Sequence, residues 1–210
     1  MATARVVFKA PGQKANGLQA RPEGLWVCDQ GDNRIYLVSY ADGSVLTSFD
    51  TPGRNMSGCA FGAGGVWGAA NVRPATLYKL NPANGQCLQA LVLPNAMAGG
   101  VHGIEYAEDA LWVTRPGLKT IQKVHPETGE LLHEIPFPAA RSHGLFWEDG
   151  VLVCVETNNH VVYHLDTKDG RVLEQWVIEG YEPHGMTKGA DGRIWVCDAV
   201  QTNTIAVVER

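Results

Sequence analysis

The sequence contains no run of lysine or arginine, and 22 acidic residues outnumber 17 basic ones to give a net charge of −5. Neither nucleic acid nor an anionic membrane is a natural partner for such a surface, so neither is expected. No apolar stretch reaches the roughly 18 residues that a membrane-spanning helix needs. The opening MATARVVFKAPG also lacks the charged segment and apolar core of a secretory signal. A cytoplasmic protein is the expectation. Cys-x-x-Cys spacing is missing as well. The five cysteines (Cys28, Cys59, Cys87, Cys154, Cys197) are odd in number, which argues against a disulfide framework and against a thiolate zinc site. Helical 3.6-residue spacing of apolar positions is absent too, which excludes the helical repeat arrays. What remains is a chain of 210 residues, 45% apolar and with 24 glycines, long enough for one well-buried core.

That remainder is repetitive. The pairs Asn16-Gly17, Ser57-Gly58, His102-Gly103, His143-Gly144 and His184-Gly185 stand 41, 45, 41 and 41 residues apart. Each is followed by an apolar cluster (LWVCD, VWGAA, LWVTR, VLVCVE, IWVCD) and then by a second strand-like run (RIYLVSY, TLYKLNP, TIQKVHP, VVYHLDT, TIAVVER). In the first four units a Gly turn (ADG, ANG, ETG, KDG) and a last apolar strand complete the pattern. A period near 40 residues with four short strands is the signature of a β-propeller blade. The expectation is therefore an all-β, five-bladed β-propeller of four-stranded antiparallel blades, one domain over residues 1–210. The fifth unit ends after three strands, and residues 4–10, ARVVFKA, supply its outer strand and close the ring. Trp26, Trp67, Trp112 and Trp195 read as packing between blades. Cys28, Cys154 and Cys197 share one position in the repeat and read as small buried core residues.

The first residue of each unit lies on the innermost strand, so the axial ring reads Asn16, Ser57, His102, His143, His184. Hairpin geometry sets a partner thirteen or fourteen residues on: Asp29 for Asn16, Ala70 or Asn71 for Ser57, Arg115 for His102, Glu156 for His143 and Asp198 for His184. Three imidazoles on successive blades are the ligand set of a divalent metal with an open position for water or substrate. Zn, Fe, Ni and Mn all suit His102, His143 and His184, and ligand type does not separate them. Glu156 and Asp198 are expected behind the imidazoles, fixing their tautomers. In the competing arrangement the carboxylates hold a harder ion such as Mg²⁺ and one of the histidines is freed to act as general base. Arg115 reads as a clamp for a substrate carboxylate, with Asn16, Ser57 and Asp29 as further substrate-binding groups. His125, His133, His160 and His164 share no register and read as surface or packing residues.

The units HGLFWEDGVLVCVET and HGMTKGADGRIWVCDA resemble blades of the virginiamycin B lyase (streptogramin lyase) group. More broadly, they are similar to the NHL and gluconolactonase-like propellers. The resemblance implies a His at the His-Gly position acting as base and a carboxylate about fourteen residues on binding Mg²⁺. Here the matching pairs are His184 with Asp198 and His143 with Glu156. It also implies elimination rather than addition of water. The expected function is a metal-dependent lyase, or a hydrolase, acting on a small oxygenated or anionic molecule at the axial mouth. A non-catalytic propeller gripping a peptide or protein through loops such as PGRNMSG or IEGYEPHG is the alternative. An iron-dependent redox enzyme at the same histidines is a weaker one.

Overall fold

In the computed structural model, which describes residues 1–210, the chain is all β: twenty strands and one short 3-10 turn, Ala96–Ala98. After β1 (Ala2–Lys9) come antiparallel meanders. The first is β2 (Ala15–Arg21), β3 (Gly24–Asp29), β4 (Arg34–Val38) and β5 (Val45–Asp50). The second is β6 (Met56–Gly62), β7 (Gly65–Ala70), β8 (Thr76–Leu80) and β9 (Cys87–Val92). The third is β10 (Ile104–Ala107), β11 (Ala110–Arg115), β12 (Thr120–Val124) and β13 (Leu131–Pro136). The fourth is β14 (Ser142–Glu148), β15 (Val151–Glu156), β16 (Val161–Asp166) and β17 (Val172–Glu179). The last run is β18 (Met186–Lys188), β19 (Ile194–Asp198) and β20 (Thr204–Glu209). The Gly turns read from the sequence join the third and fourth strands of each complete meander. Their glycines Gly43, Gly85, Gly129 and Gly170 all adopt φ of 72–75°, a conformation without steric penalty only for glycine.

Three meanders are separate four-stranded sheets. The rest form one eight-stranded sheet in the order β14-β15-β16-β17-β1-β20-β19-β18. Within it β1 pairs antiparallel with β20, from Thr3↔Glu209 to Lys9↔Thr204, and touches β17 through the short parallel register Ala2↔Ile178. The clasping strand thus spans Ala2–Lys9, slightly earlier than the 4–10 read from the sequence. Asn203, in the left-handed region at φ 48°, reinforces the join. Its Oδ1 accepts from the Ala15 amide and its Nδ2 donates to the Gly12 carbonyl, both at 2.8 Å.

The first strands of the meanders pack in cyclic order, β2 on β6, β6 on β10, β10 on β14, β14 on β18 and β18 back on β2. This arrangement fits a β-propeller. The apolar core is divided accordingly into clusters that each straddle two neighbouring units. Trp67 packs between the second and third units, Trp112 between the third and fourth, Trp195 between the last and first, and Trp26 between the first and second. All four are buried, and truncating such a residue typically costs about 3–5 kcal/mol. Between the fourth and last units Val153 packs instead with Phe146, Trp176 and Tyr181.

Around the axis the backbones meet. A Cβ built on Gly17 would lie 2.6 Å from the Gly58 Cα, and one on Gly58 2.6 Å from the His102 carbonyl oxygen. One on Gly185 would lie 2.8 Å from the Asn16 carbonyl, while on Gly103 and Gly144 it would overlap the His143 carbonyl and the Met186 amide. The glycine after each ring residue is therefore required by close backbone approach. Below it Leu18, Cys59, Ile104, Leu145 and Met186 leave only about 10 Å³ on the axis. That is barely one water. The axis is thus plugged below the ring, which leaves the ring side chains at a mouth.

Candidate functional site at the axial mouth

The ring residues come together, but in a different register from the one expected. Ala15 pairs with Asp29 and Gly17 with Cys28, so Asn16 is the extra residue of a β-bulge. Ser57 and His143 sit in bulges of the same kind, with Met56↔Ala70 and Ser142↔Glu156 as the flanking pairs. A bulge leaves its extra residue outside the ladder and re-aims its side chain. Asp29 and Glu156 consequently oppose the preceding residue, not the ring residue.

Those carboxylates serve their own loops. Asp29 accepts from the amides of Lys14, Gly31 and Asp32 at 2.7–3.0 Å. Asp198 accepts from the amides of Val200 and Gln201, both at 2.9 Å, and from the Thr202 hydroxyl at 3.0 Å. Glu156 Oε2 accepts from the Asn159 amide and side chain, while its Oε1 is buried without a partner. None hydrogen-bonds to a histidine. Arg115 is buried too and donates to Pro94, Asn95 and Gly99 carbonyls and to Gln122 Oε1. It fastens the segment before the third unit, which accounts for that unit's longer spacing, and is not free to clamp a substrate. Ser57 Oγ donates to the Val101 carbonyl at 2.6 Å. Asn16 Oδ1 is buried with no partner.

The three imidazoles do adjoin. Ring centroids of His102 and His143 are 4.2 Å apart, and those of His143 and His184 4.8 Å, both pairs edge to face. His102 Nδ1 lies 2.8 Å from His143 Nε2, and His143 Nδ1 lies 2.8 Å from Thr157 Oγ1. His184 Nδ1 is 3.2 Å from the Glu182 carbonyl. Both nitrogens of His143 are thus engaged, whereas a metal needs a free lone pair from each ligand. The His102, His143, His184 set does not fit a bound metal in this arrangement. Asp29 and Asp198 are committed to their own loops and only Glu156 Oε1 is left unpartnered, so the carboxylates do not converge on a Mg²⁺ site either.

Burial disfavours the charged form of all three imidazoles. It holds His102 down to about 4, helped by the positive charge of Arg141. Burial likewise pushes His143 well below the usual range, and His184 below it. His102 is the least buried of the three, and its Nε2 has no hydrogen-bond partner in the protein. Arg141 and Glu182 flank the mouth, both partly exposed, with Nη1 and Oε1 3.9 Å apart. Glu182 Oε1 is also 3.7 Å from His184 Nε2. Neither residue was singled out from the sequence, because the slot they share holds Lys14, Asn55 and Gly100 in the other units and so shows no common residue type. The signal was proximity: each lies two residues before a ring histidine. His125, His133, His160 and His164 lie elsewhere; His160 occupies a left-handed turn at φ 57°, and His164 accepts from the Trp176 indole. Larger cavities of about 400–440 Å³ lie in outer grooves, such as that around Trp112, Lys123 and His133, and contain no ring histidine.

By sequence the chain matches no family model and no curated protein. By structure it is similar to glutaminyl cyclase from Myxococcus xanthus, with a TM-score of 0.80 at 12% identity over 99% of this chain and 96% of that one. It is also similar to a catalytically inactive virginiamycin B lyase from Staphylococcus aureus with quinupristin, with a TM-score of 0.60 at 21% identity over 95% of this chain and 67% of that one. A streptogramin B lyase gives a TM-score of 0.59 at 17% identity over 99% and 97%. At such identities the likeness speaks for the fold alone. The chain is a β-propeller resembling the streptogramin lyase-like folds.

Proposed function

We propose that the chain is a five-bladed propeller enzyme that moves a proton on a small oxygenated molecule at its axial mouth, with His102 as general base. The observation that carries this reading is the unpartnered Nε2 of His102, the least buried of the three imidazoles and one kept neutral to about 4. A neutral imidazole with a free lone pair accepts a proton at ordinary pH, and such groups contribute about 10²–10⁴-fold to rate. Arg141 is suited to hold a carbonyl or carboxylate oxygen of the substrate. Glu182 is suited to hold an amine or hydroxyl, or to carry the second proton. Lyase or ring-closing chemistry follows when the base removes a proton and a leaving group departs, with no activated water required. The five free thiols suit a reducing, cytoplasmic setting. A propeller that only binds a peptide or protein is the rival.

The test uses the substrates that the neighbours' names provide, a peptide with an amino-terminal glutamine and quinupristin. Turnover of either by the wild type, lost in His102→Gln and indifferent to a chelator, supports the reading. Turnover lost on chelation and restored by one metal would replace it with a metal enzyme in which the His102–His143 hydrogen bond has broken. No turnover of either sinks it for these substrates and favours the binding module.

A further inference from the structure

Three hydrogen bonds run in series behind His102, and their donors can be assigned by elimination. Thr157 is fully buried, and its Oγ1 lies 2.9 Å from the Pro183 carbonyl oxygen and 2.8 Å from His143 Nδ1. A hydroxyl has one proton to give and a carbonyl oxygen only accepts. No backbone amide reaches the buried Pro183 carbonyl, so the Thr157 proton goes there. Oγ1 must then accept from His143, which puts the His143 proton on Nδ1. A neutral imidazole carries one N–H, so His143 Nε2 is bare and accepts from His102 Nδ1–H across 2.8 Å. His102 is left with its lone pair on Nε2. The reverse direction would leave the Pro183 carbonyl buried and unpaired, and would put a proton on the atom facing the mouth.

We infer that Thr157 and His143 are positioning residues: a one-way hydrogen-bond chain from the Pro183 carbonyl through Thr157 and His143 locks His102 in the tautomer whose unpartnered nitrogen is a base. The inference rests on the proposed role of His102 for its functional meaning, but the lock itself is a property of the resting protein. Neither member of the chain touches substrate. Thr157 stands fourteen residues after His143, one beyond Glu156, so the position expected to orient the imidazole through a carboxylate does so through a hydroxyl one residue on. A hydroxyl tied to a carbonyl dictates the imidazole tautomer without adding charge to a buried site.

Long-range proton–nitrogen correlation spectra of ¹⁵N-histidine-labelled protein near pH 7 read the tautomers directly, with no substrate. Nδ1–H is expected for both His143 and His102 in the wild type. In Thr157→Val the acceptor is gone, and both are expected to shift toward Nε2–H, while Thr157→Ser keeps the wild-type pattern. On a substrate the wild type turns over, Thr157→Val should lower kcat about 10- to 100-fold with KM changed no more than about twofold, and serine should restore it. Wild-type His143 found as Nε2–H would overturn the inference, and that measurement needs no variant to fold. Tautomers unchanged in folded Thr157→Val, or shifted without loss of turnover, would overturn it too. If the tautomers are as assigned but His102→Gln retains turnover, the lock stands and the function proposed for His102 falls.

Discussion

The two sides of the axial ring have one backbone and two chemistries. On one side Asn16 and Ser57 occupy bulges, each followed by a glycine pressed on its neighbour's backbone. On the other side His143 occupies the same bulge and is followed by the same kind of glycine. Yet Ser57 is consumed locally by the Val101 carbonyl, whereas His143 passes its hydrogen bond on to another imidazole. The repeat therefore dictates where the slot is and which residue must follow it. It leaves the slot's occupant free. A side chain too short to reach across the axis ties adjoining backbones together, and a ring long enough to reach its neighbour starts a network.

The largest effect expected from breaking this comparison strikes both sides alike. Gly144→Ala drives a methyl into the Met186 amide and Gly17→Ala drives one toward the Gly58 Cα, where no flexible side chain can yield. Each should lose about 3 kcal/mol in urea unfolding. If Gly17→Ala were tolerated, the two sides would not share a backbone requirement. Next in size, His102→Gln should cut turnover by about 10²–10⁴-fold with stability little changed, whereas Ser57→Ala should lose about 1 kcal/mol of stability and no turnover. Equal effects on rate would erase the distinction.

Acid should separate the sides more gently. Unfolded histidines take up protons near 6.5, while folded His102 does so only near about 4. Between those values the unfolded state binds more protons, so the stability from this group is complete above 6.5 and is lost as pH falls toward 4. Unfolding free energies measured across that window should fall less steeply in His102→Gln than in the wild type. A second pH effect belongs to Glu105 in the third unit, buried and pushed up to about 8 chiefly by that burial. Folded Glu105 stays protonated where the unfolded side chain ionises near 4.5, so its contribution is complete below 4.5 and is lost as pH rises through 8. Glu105→Gln should therefore flatten the stability curve between about 4.5 and 8; an unchanged slope there would mean that Glu105 ionises normally.

The repeat made much of the fold legible. Its glycine turns, Trp positions and clasping strand all follow from spacing, because each reflects a backbone demand that recurs in every unit. The ring of side chains was legible for the same reason. The partners of those side chains were not. A bulge adds one residue without leaving a mark in the apolar pattern, so counting along a regular hairpin put Asp29 and Glu156 opposite the ring when they oppose its predecessors. Thr157 lies just past that count and looked like an ordinary loop residue. Arg141 and Glu182 share a position in the connections between units whose residue type is not repeated, and Arg115 looked available only because the carbonyls that occupy it come from an irregular segment.

The clasp between β1 and β20 also sets how the molecule yields to force. Because the strands run antiparallel, Thr3 faces Glu209 at one end of the ladder and Lys9 faces Thr204 at the other. Tension applied between residues 3 and 209 would load these pairs one after another, like a zip, and not all at once as in shear. The protein is thus built to open mechanically at its own seam, strand by strand, while the packed glycines at the axis still hold the remaining units together.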